Sequence, residues 1–253
     1  MSPIPHAETV ERQFGAQAAA YLSSSVHAQG EEFAELSAAV ADKPGARVLD
    51  LGCGAGHVAF RAAEAGGAVT AYDLSVRMLE VVSTEAARRG LDIAVRQGAA
   101  ERLSFADGEF DLVFSRYSAH HWSDVPRALR EARRVLKPDG RLALIDIASP
   151  GAPLLDTHLQ AVEVLRDTSH VRNYSAAEWL AMLASAGFGL ERAERRKLRL
   201  EFDSWVERMR TPPTMREAIR ELQRQMGSEV RDYFDIGADG SFSSDVLVLW
   251  ARP

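Results

Sequence analysis

The chain's densest chemistry lies in VLDLGCGAGHVAF, residues 48–60. Glycine at 52, 54 and 56 lets a backbone turn tightly and approach a ligand with no Cβ in the way. A helix opening beyond the turn would present unsatisfied N–H groups to an anion. Asp50 stands just before the first glycine, where a fixed carboxylate repels a pyrophosphate and attracts an ammonium. A second acid, Asp73, ends the next apolar run, AVTAYD, where a carboxylate accepts hydrogen bonds from ribose hydroxyls. Further along, His120-His121 offers side chains that titrate near neutrality and can take a proton. A metal on adjacent histidines has poor geometry, and no third ligand suggests itself. Cys53 reads as a small spacer in the turn, since nothing beside it in sequence would activate a thiolate.

Two ligand classes use such a turn. A dinucleotide would set its pyrophosphate on the glycines, and Gly54-x-Gly56-x-x-Ala59 satisfies a loose form of that pattern. S-adenosylmethionine would offer its ammonium to Asp50, its carboxylate to backbone N–H groups and its ribose to Asp73. Asp50 favours the second ligand, and Asp73 suits both. Surface caps are the competing reading of the two acids.

The elements that must position these residues are legible around them. ARVLDL (46–51), AVTAYD (68–73), IAVRQG (93–98), FDLVFS (110–115) and RLALIDIA (141–148) read as strands. Helical stretches alternate with them. Ser75 is placed to cap the second of these and Asp124 the helix over 124–136, which Asp139-Gly140 should stop. This alternation predicts an α/β chain with a mostly parallel sheet. Strands one, four and five are almost wholly apolar, as expected when helices cover both faces. Later, 154–167 and 176–188 read as helices and 190–202 as a charged edge strand. Residues 203–234 read as helical pieces broken at Pro212-Pro213, and SSDVLVLWARP as a final strand. The expected division is a single domain, with a core of about 42–150, 176–202 and 241–253. Helical cap segments of about 1–41, 152–174 and 203–234 complete it.

A 253-residue chain with 46% hydrophobic and 26% charged residues can bury a large core, which excludes disorder. Its net charge of −6 disfavours general nucleic-acid binding. One cysteine cannot form an intrachain disulfide, and no apolar run is long enough to span a membrane. The expected location is the cytoplasm.

The motifs taken together resemble class I S-adenosylmethionine-dependent methyltransferases of the small-molecule type, related to quinone-biosynthesis C-methyltransferases. VLDLGCGAG resembles the first motif of that family and AYDLS with Met78-Leu79 the second. QGAAERLSF resembles the third, FDLVFSRYSAHHW the fourth, and REARRVLKPDGRLALID the helix and strand beyond. The resemblance implies a Rossmann-like, doubly wound sheet with a reversed last strand, DVLVLWARP. It implies that Asp50 and the backbone of Gly52, Cys53 and Gly54 hold the methionine part of the cofactor. Asp73 would bind the ribose, and Leu74 and Met78 would pack on the adenine. Gly98, Ala99 and Ala100 would lie along the adenine edge, Ser115 near the methionine tail, and Tyr21 would close over the ligand. The family commonly has an acid where this chain has Ala99, so here only backbone groups could read the adenine amino group.

The resemblance leaves His120 and His121 as candidates for the proton acceptor. Arg116, Tyr117 and Trp122 are candidates for the acceptor pocket, as are His158, His170, Arg172 and Tyr174. Enzymes that methylate amino groups of DNA bases share an Asn/Asp-Pro-Pro-Tyr/Phe sequence in the fourth motif. This chain has Ser115-Arg116-Tyr117-Ser118 instead, so a small-molecule acceptor is expected. The alternatives are a nicotinamide-dependent oxidoreductase and a catalytically silent S-adenosylmethionine-binding regulatory module. The sequence carries no motif for the acceptor's identity or the oligomeric state.

Overall fold

The computed structural model describes residues 4–15 and 30–253. Seven strands form one sheet in the order β3-β2-β1-β4-β5-β7-β6. Their ranges are β1 Arg47–Leu51, β2 Ala68–Asp73, β3 Ile93–Gln97, β4 Phe110–Arg116, β5 Leu136–Ala148, β6 Gly189–Leu200 and β7 Phe242–Arg252. Neighbours among β1 to β5 pair in parallel, while β7 runs antiparallel to both β5 and β6. The mostly parallel sheet with one reversed strand is therefore present. Its strand order reverses beside β1, and a ligand crevice forms at such a switch point, outside the carboxyl ends of the strands.

Alternation along the central strands explains the two helical layers. Val48, Leu112, Phe114, Ala143, Ile145, Val246 and Val248 face one layer. It includes α2 (Glu32–Ala41), α3 (His57–Glu64) and α4 (Val76–Arg89). Leu49, Leu51, Val113, Leu142, Leu144, Leu247 and Leu249 face the other, made by α5 (Val125–Val135) and α7 (Ala176–Ser185). The caps expected at Ser75 and Asp124 are formed: Ser75 Oγ accepts from the Met78 N–H, and Asp124 from the Arg127 N–H. The other α-helices among the described residues are α1 (His6–Gly15), α6 (Pro153–Arg166), α8 (Phe202–Arg208), α9 (Pro213–Gln225) and α10 (Ser228–Tyr233). Helix α6 packs on α9 and α10.

One turn differs from expectation. Helix α5 ends at Val135, and Leu136 is already extended and pairs with Phe110. Residues 137–140 then form an irregularity inside β5, before Arg141 resumes pairing opposite Leu112. Pro138 cannot continue the helix, and Lys137 and Lys43 both place ammonium groups on buried Asp111. Asp139-Gly140 is thus part of a strand bulge, and the helix stops without it.

Candidate active site

At the carboxyl ends of β1, β2 and β4 lies a cleft of about 190 Å³. Asp50 ends the apolar part of β1 and is buried, with Oδ2 accepting from the Ala59 N–H at 2.9 Å. Burial pushes its carboxyl up to about 7, and nearby Asp73 adds to the rise, against the Ala59 hydrogen bond and the charge of Arg116. A desolvated carboxyl in this state is a site for a cation, which would return it to the ionised form.

Asp73 ties the turn together. Oδ2 accepts from the Gly54 N–H and Oδ1 from the Ser75 N–H, each at 2.8 Å. Burial raises its carboxyl above the usual range, opposed by these backbone donors. Each oxygen keeps a lone pair for a further donor such as a ribose hydroxyl. Asp73→Ala should therefore weaken S-adenosylhomocysteine binding by roughly 10- to 150-fold, or about 1.5–3 kcal/mol, in calorimetry. An unchanged dissociation constant would remove Asp73 from the ligand.

The turn itself differs from the expectation that its N–H groups receive a carboxylate. The Gly52 and Cys53 N–H groups both donate to the Tyr72 carbonyl, at 2.8 and 3.1 Å, and Gly54 donates to Asp73. These donors are committed inward by the parallel pairing of β1 with β2, so a ligand carboxylate needs other partners. Gly52 has φ +71°, and a Cβ there would lie 1.9 Å from Ser118 Oγ. Gly54 has φ +50°, and its Cβ position faces open space. The first glycine is required by a close neighbour as well as by its backbone, the other by its backbone alone.

Of the residues expected around a cofactor, the structure brings together Asp50, Gly52, Cys53, Gly54, Asp73, Leu74, Met78, Gly98, Ala99 and Ala100. Tyr21 lies outside the described residues. Ser115 does not reach the cleft. It is buried within β4 with Oγ lacking a hydrogen-bond partner among the described residues, and Arg116, Tyr117 and Ser118 line the cleft in its place. Trp122 lines it too, donating from Nε1 to Ser118 Oγ at 3.2 Å. Sequence reasoning missed one face of α1, where His6, Val10 and Phe14 close the cleft. His6 Nε2 sits 2.9 Å from the His121 carbonyl, and the Phe14 ring meets the His121 ring edge-on at 4.8 Å.

The two histidines serve different walls. His121 lines the cleft, and its Nδ1 donates to the Ser169 carbonyl at 3.1 Å. Burial and neighbouring His120 hold it well below the usual histidine range, which favours its neutral form. His120 lines a second, smaller cavity of about 70 Å³ that shares Phe14, Tyr117 and His121 with the first. Its Nδ1 is 2.6 Å from Asp146 Oδ1, and its backbone N–H donates to Asp146 Oδ2 at 3.1 Å. Burial opposes its protonation, but the charge and hydrogen bond of Asp146 more than offset that, so its basicity is raised. Tyr117, at the join of the two cavities, holds φ at +52°, a strained value for an aromatic residue.

Asp146 went unnoticed in the sequence, although an acid inside the apolar run RLALIDIA was the available signal. Among the other acceptor-pocket candidates, His158 and His170 are buried, and burial pushes them down to about 4 and about 3. Arg172 pairs with Asp156 and Glu178, and the Tyr174 ring packs on Trp179. None of these four lines the second cavity.

A sheet of this order, with acids closing the ends of β1 and β2 over a glycine turn, defines an α/β nucleoside-cofactor fold of the methyltransferase kind. The chain belongs to the methyltransferase family: residues 49–144 match the methyltransferase domain. Over 229 residues it is 37% identical to the methyltransferase YcgJ of Bacillus subtilis, covering 90% of each chain. The crystal structure of YcgJ superposes with a TM-score of 0.82 at 34% identity, over 88% of this chain and 98% of that one. The YafE protein of Escherichia coli K12 is 52% identical over 198 residues, 78% of this chain and 96% of its own. The 2-phytyl-1,4-naphtoquinone methyltransferase of Synechococcus elongatus is 38% identical over 120 residues, 46% of this chain and 52% of its own. The protein is an S-adenosylmethionine-dependent methyltransferase, which sets aside the nicotinamide reading. No described helix is long and apolar enough to cross a membrane.

Proposed function

We propose that this enzyme methylates a small molecule seated in the second cavity, with His120 taking the acceptor's proton. The observation that carries the reading is the His120–Asp146 pair, at 2.6 Å, on the wall of a cavity that adjoins the cofactor cleft. When bound, S-adenosylmethionine supplies an activated methyl group on a sulfonium, and its transfer is an in-line displacement. The protein then has to align the acceptor, exclude water and remove a proton.

Asp50 would receive the cofactor's ammonium and Asp73 its ribose hydroxyls. Leu74 and Met78 offer apolar surface to the adenine. The backbone of Gly98, Ala99 and Ala100 is left to read its edge, since Ala99 brings no carboxylate. His57, opening α3, and Arg116, at the end of β4 and paired with Glu32 at 2.8 Å, line the cleft and are the candidate partners for the carboxylate that the turn's committed N–H groups cannot meet. Asp146 holds Nδ1 of His120, which leaves Nε2 to accept a proton, and His121 forms the partition between the cavities. The net charge of −6 and the Ser115–Ser118 sequence support a small-molecule acceptor over a nucleic acid.

The test is transfer of radiolabelled methyl groups into a metabolite extract, with labelled products identified by mass. A labelled small molecule is the expected result. Tight cofactor binding with no transfer to any fraction would point instead to a silent regulatory module.

A further inference from the structure

The second cavity carries an unspent recognition group. Asn173 is 1% exposed and lines the cavity, yet neither its side-chain oxygen nor its nitrogen has a hydrogen-bond partner among the described residues. Buried amides are normally satisfied, and leaving both ends unpaired is costly. Because both ends are free, nothing turns on which atom is oxygen and which nitrogen. The backbone of Asn173, by contrast, is clamped. Its N–H donates to Gln160 Oε1 at 3.1 Å, and its carbonyl accepts from Gln160 Nε2 at 2.7 Å. The adjoining residues 171 and 172 donate to the His120 carbonyl at 2.8 and 3.3 Å. The loop that carries the free amide is thus fastened to the helix on one side and to the candidate base on the other.

Asp167, from the same loop, repeats the pattern. Its Oδ1 accepts from both the N–H and the hydroxyl of Ser169, at 2.8 and 2.6 Å. Its Oδ2 is buried without a hydrogen bond, 3.9 Å from His121 Nε2. One oxygen is spent holding the loop while the other is left for a donor.

We propose that Asn173 is the acceptor-specificity residue, and that the enzyme's acceptor presents a planar group with an N–H or O–H donor beside a carbonyl oxygen. A primary carboxamide is the simplest such group. Its carbonyl would accept from Asn173 Nδ2 and its N–H groups would donate to Asn173 Oδ1 and Asp167 Oδ2. The size of the cavity agrees with a small head group: about 70 Å³ is well below the roughly 150 Å³ that holds a benzene ring. This inference deepens the acceptor reading above and rests on it.

The experiment uses acetamide as the probe and acetone, which has the acceptor but no donor, as the control. Both are titrated by ligand-observed NMR into the full chain, with and without S-adenosylhomocysteine. The wild type should prefer acetamide by about 10-fold, the worth of one buried hydrogen bond. Asn173→Leu and Asn173→Ala should both lose that preference while S-adenosylhomocysteine affinity stays the same. Asn173→Leu should also melt no lower than the wild type, because it removes an unsatisfied polar group. Three results would overturn the proposal. One is equal binding of the two probes by the wild type. Another is a preference that survives in both variants. The third is a fall in melting temperature beyond about 5 °C in both, which would mark a bonded structural amide. Failure of S-adenosylhomocysteine to bind would count against the cofactor site alone, because the second cavity is formed by protein and can be probed without it.

Discussion

Asp50→Asn is expected to weaken S-adenosylmethionine binding by roughly 30- to 1,000-fold, about 2–4 kcal/mol, the range for removing one partner of a desolvated charge pair. The asparagine oxygen can still accept from the Ala59 N–H, so the turn should persist. Its NH₂ would then face the ligand's ammonium, a donor against a donor. Adenosine lacks that ammonium and should lose little. The free variant should be at least as stable as the wild type near pH 7.5, because the buried carboxyl is a liability until a cation reaches it. Burial lifts this carboxyl from its ordinary 3.8 to about 7. Ionising it therefore disfavours the folded state, and the stability it leaves intact below about pH 4 is lost as pH rises toward 7. Equal losses for S-adenosylmethionine and adenosine, measured by calorimetry, would defeat the assignment.

His120→Ala should lower kcat by about 10²- to 10⁴-fold toward the acceptor found by methyl labelling, with cofactor affinity within about twofold of the wild type. Asp146→Asn should act through His120. An asparagine can accept from Nδ1, but its NH₂ would oppose the His120 N–H that Asp146 Oδ2 now accepts. Without the charge the imidazole becomes less basic. The rising limb of the pH–rate profile should move to lower pH and its plateau should fall. Raised basicity places that limb in the wild type above the ordinary 6.5 of histidine. A plateau unchanged in both variants would reduce the pair to packing. His121 already favours its neutral form, so its replacement should leave the position of the limb nearly unchanged.

The cleft that gathers Asp50, Gly52, Gly54 and Asp73 was largely legible in the sequence because it is local. AVTAYD occupies residues 68–73 as a strand, and ARVLDL with the turn after it carries an acid, glycines and a helix start within one stretch. Ser115 is absent from the cleft wall because pleating sends alternate residues to opposite faces. The stop after α5 falls before Asp139-Gly140 because Leu136 already pairs with Phe110 and Pro138 cannot continue a helix. The acceptor side was hidden for another reason. Its residues, among them His120, Glu163, Asp167, Asn173 and Trp205, come from segments far apart in the chain. Only the fold brings them together, and none carries a spacing that marks it. The same holds for α1, whose His6 and Phe14 reach His121 across the cleft.

The role of Asp50 rests on a buried carboxyl raised to about 7, and so mainly protonated at pH 6, and proton release on binding tests that directly. Titrations of S-adenosylmethionine at pH 6, in buffers of different ionisation enthalpy, should report the release of close to ~1 proton, falling toward zero by about pH 8. Asp50→Asn should abolish the release. Binding at pH 6 that releases no proton, or releases it undiminished from Asp50→Asn, would contradict the central role given to this residue.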